Sequence, residues 1–249
     1  MTTTAKQLVN WGLHTALAGA ALQAVLTLTR YRVFSQRTSK LMAFDLMRMQ
    51  ARRRTPSQPL RDASSTKLQF GCGGRPIDGW VNVDVNRGDL LIDLAGGSLP
   101  WKNDQFDVAF GEHVIEHLDL NSELIPFLGE LNRTVKAGGH VWASCPDMEK
   151  ACRAYLDDKA QSIVDDVTAI CSGFDGMNGV PSQHFVNILF HQDGEHKNLF
   201  DFELLAWAFS KAGFQDCVKM QEADLLEAYP DIPRRGDDDH TLYVRATAS

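Results

Sequence analysis

The sequence lacks several patterns that would place it in a familiar class. Its five cysteines, at positions 72, 145, 152, 171 and 217, form no CxxC pair, which excludes the usual zinc-ribbon and thioredoxin-type motifs. No internal repeat is visible. Apolar residues make up 44% and charged residues 23% of the 249 residues, which excludes a wholly disordered chain, a collagen and a polytopic membrane protein. Unpatterned cysteines are typical of free thiols in a reducing compartment, so we expect a cytoplasmic protein.

Basic side chains are scarce in most of the chain and concentrated at its start. Residues 1–66 carry ten basic and two acidic side chains, whereas residues 67–249 carry 15 basic and 30 acidic ones. The opposite net charges predict that the first segment has a separate task or lies on the rest of the chain. We expect no nucleic-acid binding, because the larger segment is acidic and the basic residues accompany apolar helices without an aromatic platform.

No segment has the composition of a good transmembrane helix. Residues 8–29 are nearly long enough, but polar side chains interrupt them and alanine is commoner than leucine. Residues 31–54 predict a second, basic helix, and a Pro/Ser-rich linker follows it. We expect residues 1–65 to form a helical extension packed on the rest of the chain or on a second copy in a homodimer. Association of residues 1–54 with a membrane surface is the alternative. The packed arrangement predicts three buried side chains: Trp11, Leu17 and Phe34.

From Lys67 onward, short strand-like runs alternate with helical ones. The strand-like runs are KLQFG, WVNVDV, LLIDL, FDVAF, HVWASC, FQDCVKM and HTLYVRA. Helical patterns cover about 122–136, 148–170 and 201–212, whereas residues 171–200 are loop-rich. This alternation predicts a doubly wound α/β fold with a mostly parallel sheet. Ligands of such sheets bind at the carboxyl ends of the strands.

Glycine and acidic residues end the first three predicted strands. Gly71 and Gly73 follow the first strand, where glycine allows a ligand to approach the backbone closely. Asp84 ends the second strand and Asp93 the third. The complete dinucleotide fingerprint is missing, because Pro76 stands at the third glycine position and Asp84 follows Gly73 by only 11 residues. No Walker lysine is present either, so NAD and ATP are disfavoured.

These motifs resemble those of the class I S-adenosylmethionine (SAM)-dependent methyltransferases, and in particular a bacterial subgroup with a GCG…GWxNVD opening. The matching stretches are KLQFGCGGRPIDGWVNVD, DLAGGSLPWKNDQFDVAFGEHVIEHL, ELNRTVKAGGHVWASCPDMEKACRAY and EHKNLFDFELLAWAFSKAGF. The resemblance implies a Rossmann-like sheet of seven mostly parallel strands with an antiparallel last strand. It also implies that residues 66–249 form the methyltransferase domain, with about 147–200 as an insertion that covers the methyl acceptor.

The resemblance implies SAM-binding positions at the ends of the first four strands. They are Phe70, Gly71, Cys72, Gly73, Asp84, Asp93, Leu94, Gly111 and Glu112. In this interpretation the glycine loop holds the methionine part of SAM and Asp84 binds the ribose hydroxyls. Asp93 and the Leu94 amide face adenine, and the residues after the fourth strand lie near the sulfonium.

Two histidines are the candidate catalytic residues. His113 follows the fourth strand, where an acceptor could lie, and His196 belongs to the loop region over the acceptor. Either could act as a general base near neutral pH. Both have structural alternatives as packed or solvent-facing side chains. We expect no metal site, and we expect the acidic run Asp237–His240 to be solvated surface.

The sequence thus predicts a bacterial biosynthetic enzyme that moves a methyl group from SAM to an oxygen or nitrogen of a small molecule. Two alternatives remain: an acceptor on a lipid or membrane-bound carrier, and a non-catalytic partner subunit with the same fold. Only Cys72 to Gly79 separate the first two strands, which is short for a parallel crossover. We therefore expect one sheet face to be partly bare and the N-terminal helices to cover it.

Overall fold

A computed structural model describes Ala24, Thr27 and residues 35–53, 65–170 and 179–249. Trp11, Leu17 and Phe34 lie outside the described residues, as does nearly all of the apolar run 8–29. The α-helices are α1 Gln36–Arg53, α2 Ile125–Thr134, α3 Met148–Asp158, α4 Gln161–Ile170, α5 Gln183–His191, α6 Phe202–Lys211 and α7 Glu222–Ala228. The strands are β1 Lys67–Phe70, β2 Val81–Asp84, β3 Leu90–Leu91, β4 Phe106–Glu112, β5 Val135–Pro146, β6 Asp216–Met220 and β7 Thr241–Thr247.

The seven strands form one sheet in the order β3-β2-β1-β4-β5-β7-β6. The pairs β2–β3, β1–β2, β1–β4 and β4–β5 are parallel, whereas β7 runs antiparallel to both of its neighbours. This confirms the predicted doubly wound, Rossmann-like sheet with an antiparallel last strand. The order reverses beside β1, so the carboxyl ends of β1 and β4 open onto the crevice where such sheets bind ligands.

Local sequence explains most helix boundaries. Asp147 and Asp201 cap α3 and α6, because each carboxylate accepts a hydrogen bond from a backbone amide of the first turn. α2 follows a π-helical turn over Leu120–Leu124 and has a proline in its first turn. Three elements differ from the sequence prediction. β5 begins before the glycine pair at 138–139, α5 lies inside the segment predicted as loop, and α7 follows β6 directly.

The face beside the short β1–β2 connection is covered by the chain itself. Ile77 and Trp80 pack with Leu225 and Ile232, on or just after α7, against the outer side chains of β4 and β5. The Ile77 amide donates to the side chains of Gln69 (3.1 Å) and Asn82 (2.9 Å), which fixes the connection without a helix. The N-terminal helices were expected to cover this face. Among the described residues, α1 instead lies at the carboxyl edge of the sheet.

The opposite face carries the larger core. β1, β2, β4 and β5 pack there against α2 and α6 through side chains that include Phe70, Phe106, Leu128 and Phe209. The segment from α3 to α5 has a smaller apolar cluster of its own, formed by Ala151, Ile163, Val164, Phe185 and Leu189. Of the helices that the structure describes, none combines the length and the apolar character needed to cross a bilayer.

Candidate functional site

A cavity of about 750 Å³ opens at the carboxyl ends of β1 to β4. This volume lies in the range of about 300–1,000 Å³ that is usual for small-molecule and cofactor sites. Its wall combines the loops that follow those four strands with residues of α1 and of the segment 192–197. The predicted site residues that line it are Gly71, Gly73, Asp84, Asp93, Leu94 and His113.

The glycine loop after β1 turns sharply beneath the cavity. Gly71 and Gly73 have φ values of +66° and +52°, which favour glycine over residues with a side chain. A Cβ on Gly71 would lie 2.2 Å from Cγ2 of Val114, so close packing also requires glycine there. A Cβ on Gly73 would meet no heavy atom within 4 Å. Gly73 therefore keeps open the space in front of the loop, where a ligand can approach the backbone.

Asp84 connects the glycine loop to the end of β2. Its Oδ2 accepts a hydrogen bond from the Gly73 amide (3.0 Å), and its Oδ1 accepts one from the Asn86 amide (3.0 Å). A carboxylate oxygen has two acceptor positions, so each oxygen can accept one more hydrogen bond from a ligand in the cavity. The carboxylate is thus fixed by the backbone and still able to bind a pair of hydroxyls.

Asp93 is bound by arginines that the sequence analysis did not single out. Its side chain is 4% exposed, and its Oδ1 accepts from the Ala95 amide as the cap of the short 3-10 helix Leu94–Gly96. From α1, Arg48 Nε lies 3.1 Å from Oδ1 and Arg52 Nε lies 2.5 Å from Oδ2. Arg48 also bonds Glu123 at 3.0 Å. These ion pairs hold α1 over the cavity.

Five predicted positions lie outside the cavity wall: Phe70, Cys72, Gly111, Glu112 and His196. Gly111 packs against the Phe70 ring, which a Cβ would approach to 1.9 Å. Burial and the nearby Asp84 charge raise the pKa of the Cys72 thiol to about 11, which disfavours the thiolate form that a nucleophilic cysteine needs.

Glu112 belongs to a buried charge network below the cavity. Its Oε2 lies 3.3 Å from Arg75 and 3.3 Å from Arg235. Burial raises the pKa of Glu112, and the two arginines oppose that effect. Arg235 also contacts Asp237 at 2.6 Å. Asp237 is buried, so this part of the acidic run predicted as solvated surface instead belongs to the interior.

His113 sits between two carboxylates with a strained backbone (φ +53°). Its Nε2 lies 3.1 Å from Asp237 Oδ2, and its Nδ1 lies 3.4 Å from Glu116 Oε1. Burial alone would lower the pKa of His113, but Asp237 and Glu116 more than offset it and raise the pKa to about 9. An imidazolium has no free lone pair, so this geometry does not favour the predicted role of His113 as a general base.

His196 lies deeper than His113. Its side chain is 3% exposed, its Nδ1 lies 2.6 Å from the carbonyl oxygen of Leu189, and its ring contacts the His117 ring edge-on. Burial lowers its pKa, which favours a neutral ring. The histidine that does line the cavity near it is His117.

No protein-family model and no curated protein matches the chain. Solved structures that are similar to it include a SAM-dependent methyltransferase of Thermotoga maritima, which is described as a possible histamine N-methyltransferase. The two chains are 17% identical, the match covers 75% of this chain and 83% of that one, and the TM-score is 0.43. Another is a SAM-dependent methyltransferase of Archaeoglobus fulgidus, with 16% identity, 82% and 94% coverage and a TM-score of 0.45. A phosphoethanolamine N-methyltransferase of Haemonchus contortus is similar over 76% of this chain and 50% of its own, with 12% identity and a TM-score of 0.38. Likeness at this level identifies no family, so the strand order of the sheet remains the evidence for the fold.

Proposed function

We propose that the protein is a methyltransferase that uses SAM and acts on an oxygen or nitrogen of a small molecule. One observation carries this proposal. The open glycine loop after β1 and the Asp84 carboxylate after β2 meet in one cavity, at the reversal point of a seven-stranded sheet with an antiparallel last strand. A fold alone does not establish a function, so the proposal depends on the residues that line the cavity.

The residues present suit SAM better than a dinucleotide. The open space in front of Gly73 suits the methionine part, and the two free acceptor positions of Asp84 suit the ribose hydroxyls. Asp93 and Leu94 line the same cavity, and the proposal assigns them to the adenine end of SAM. When bound, SAM supplies a methyl group that its sulfonium has already activated.

The role left to the protein is chiefly to position the acceptor and to exclude water. Holding two reactants in line can contribute about 7–11 kcal/mol to lowering a barrier. α1 and residues 192–197 both contribute to the cavity wall, and the Arg48–Asp93 pair fixes α1 in that position. These elements are the ones that would hold an acceptor against the methyl group.

An amphiphilic acceptor is the second candidate. Leu41 and Phe44 of α1 line the cavity, and both side chains are exposed on the protein surface. Arg52 and Arg53 end the same helix. An acceptor with an apolar chain and an anionic head would match this surface, which supports the lipid or membrane-bound carrier considered above.

The test is a mass-shift screen with the full chain. Amines, sugars, phenols and lipid-linked acceptors are incubated with SAM, and products that gain one methyl group are identified by mass spectrometry. We expect one chemical class to be methylated, with S-adenosylhomocysteine formed in equal amount. The Asp84→Ala variant should lose this activity, while Asp216→Ala, an exposed carboxylate on the edge strand β6, should keep it. A wild-type protein that neither binds SAM nor methylates any acceptor would refute the proposal.

A further inference from the structure

Three side chains meet beside the cavity, where His117 lines the wall and Glu116 and His196 lie behind it. Glu116 and His117 come from the 3-10 turn Ile115–His117 after β4, and His196 comes from the segment after α5. One ligand atom from each lies within 4.8 Å of the others. We propose that Glu116, His117 and His196 form a binding site for a divalent transition-metal ion.

Both histidines are oriented as metal ligands usually are. Nδ1 of His117 lies 3.2 Å from the carbonyl oxygen of Glu195, and Nδ1 of His196 lies 2.6 Å from that of Leu189. A carbonyl oxygen can only accept, so each Nδ1 carries a hydrogen, and each Nε2 presents its lone pair when the ring is neutral. A histidine that binds a metal commonly donates its other ring N–H to a backbone carbonyl or carboxylate in this way.

Glu116 is the stronger indication that the cluster takes a cation. Its side chain is 1% exposed, and neither carboxylate oxygen has a hydrogen-bond partner among the described residues. His113 Nδ1 lies 3.4 Å away, at ion-pair distance, and His196 Nε2 lies 4.0 Å away. Buried carboxylates are normally hydrogen-bonded, paired or bound to a metal. A metal ion between Glu116 and the two histidines would give this carboxylate a direct ligand beside its longer ion pair with His113.

The backbone holds the two halves of this cluster together. The amides of Lys197 and Asn198 donate to the carbonyl oxygen of Glu116 at 2.8 and 3.2 Å. His196 is therefore fixed against the 3-10 turn by its own chain neighbours. A site assembled in this way needs little rearrangement to close around an ion.

Two imidazoles and one carboxylate select the class of metal. This ligand set suits Zn²⁺, Mn²⁺, Fe²⁺ or Co²⁺, whereas Mg²⁺ and Ca²⁺ prefer oxygen ligands. With three protein ligands the ion keeps an open coordination position. His117 lines the cavity and the other two ligands lie behind it, so we place the open position toward the cavity.

This placement gives the ion a role in the proposed reaction, and that role rests on the proposed function. A hydroxyl acceptor bound to the ion would release its proton to water more easily. Its oxygen would then form the new bond to the methyl carbon as the bond from that carbon to the sulfonium sulfur breaks, leaving S-adenosylhomocysteine. The ion would thus take over the deprotonation that the geometry disfavours for His113.

The test uses the full chain, freed of metal by a chelator, with neither SAM nor acceptor present. Co²⁺ is titrated and its visible absorption recorded, and Zn²⁺ and Mg²⁺ are titrated by calorimetry. We expect one equivalent of Co²⁺ or Zn²⁺ to bind and Mg²⁺ not to compete at equal concentration. Glu116→Gln and His196→Ala should each weaken binding by more than about 100-fold. His191→Ala, which removes an exposed histidine from the same segment, should bind as the wild type does.

Variants of the buried residues Glu116 and His196 can fail to fold, so the His117→Ala variant provides the decisive comparison. His117 is only partly buried, and this variant should keep the metal-free melting temperature while losing the rise in melting temperature that Zn²⁺ causes in the wild type. No stoichiometric binding by the wild type, or undiminished binding by His117→Ala, would overturn the proposal. These measurements contain no SAM, so a lack of metal binding would not contradict the proposed methyl transfer. In the same way, a lack of methyl transfer would not contradict the proposed metal site.

Discussion

Nε of Arg48 lies 3.1 Å from Oδ1 of Asp93, although 45 residues separate them in the sequence. Arg48 belongs to the basic N-terminal segment and Asp93 to the acidic remainder. This pair shows how the two oppositely charged parts are joined, with α1 bound at the edge of the cavity and not across a sheet face. Arg48 thus binds the Asp93 carboxylate, which the sequence analysis expects beside adenine.

The first prediction concerns the strength of this pair. Arg48→Met removes a mostly buried charged hydrogen bond, so the free energy of unfolding should fall by about 1.5–3 kcal/mol. Arg52→Met is the matched control, because the Arg52 side chain is 55% exposed and such pairs contribute about 0–1 kcal/mol. Chemical denaturation of both variants measures the difference. Equal losses would show that burial of Arg48 does not matter.

The second prediction separates the two glycines of the loop. Gly71→Ala places a Cβ 2.2 Å from Val114 at positive φ and should destabilise the fold by about 1–3 kcal/mol. Gly73→Ala meets open space, so it should lose only the stability that positive φ costs an alanine, as Gly138→Ala also does, but it should obstruct the ligand and weaken SAM binding. Gly138→Ala, also at positive φ with open space but at the start of β5, is the control. Melting curves of the three variants measure the change in stability, and SAM titrations measure the change in affinity. Normal SAM affinity in Gly73→Ala would contradict the account.

The third prediction concerns pH. Burial alone would raise the pKa of Asp237, but hydrogen bonds from His113 and Tyr243 and the charge of Arg235 hold it well below its ordinary value. The stabilisation from Asp237 is therefore present above the ordinary aspartate pKa of about 4 and is lost as the pH falls through the lower folded value.

Asp237→Asn should accordingly reduce the free energy of unfolding by about 1.5–3 kcal/mol at neutral pH. The difference from the wild type should shrink as the pH falls below about 4. Urea unfolding at several pH values measures this, with Asp216→Asn as an exposed control. A difference that stays constant down to the lowest pH would mean that the Asp237 charge is not what stabilises the fold.

The sheet and part of the site could be predicted from the sequence, because both depend on local sequence patterns. The residues Gly71, Gly73, Asp84 and Asp93 follow short apolar strands, and parallel strands bring their carboxyl ends together. These positions do line one cavity. The glycine pair at 138–139 misled the same reasoning, because β5 pairs with β4 as far back as Val135, before the glycines, whereas its pairing with β7 begins only at His140.

The charge network could not be predicted in this way. His113 and Asp237 are 124 residues apart, and an acidic run gives no local sign that one member is buried. The same holds for Glu116, whose burial depends on the segment that carries His196. Burial of a charge is a property of tertiary packing, so the raised pKa of His113 cannot be predicted without the positions of Asp237 and Glu116.

The central claim is that this cavity binds SAM through Asp84, and calorimetry on the full chain tests it most directly. SAM and NAD are titrated into the wild type, Asp84→Ala and the exposed control Asp216→Ala. We expect the wild type and the control to bind SAM and none of the three proteins to bind NAD. Asp84→Ala should bind SAM more weakly by about 1.5–3 kcal/mol, which is the contribution of a charged hydrogen bond. Binding of NAD with no response to SAM, or equal SAM affinity in all three proteins, would contradict the account.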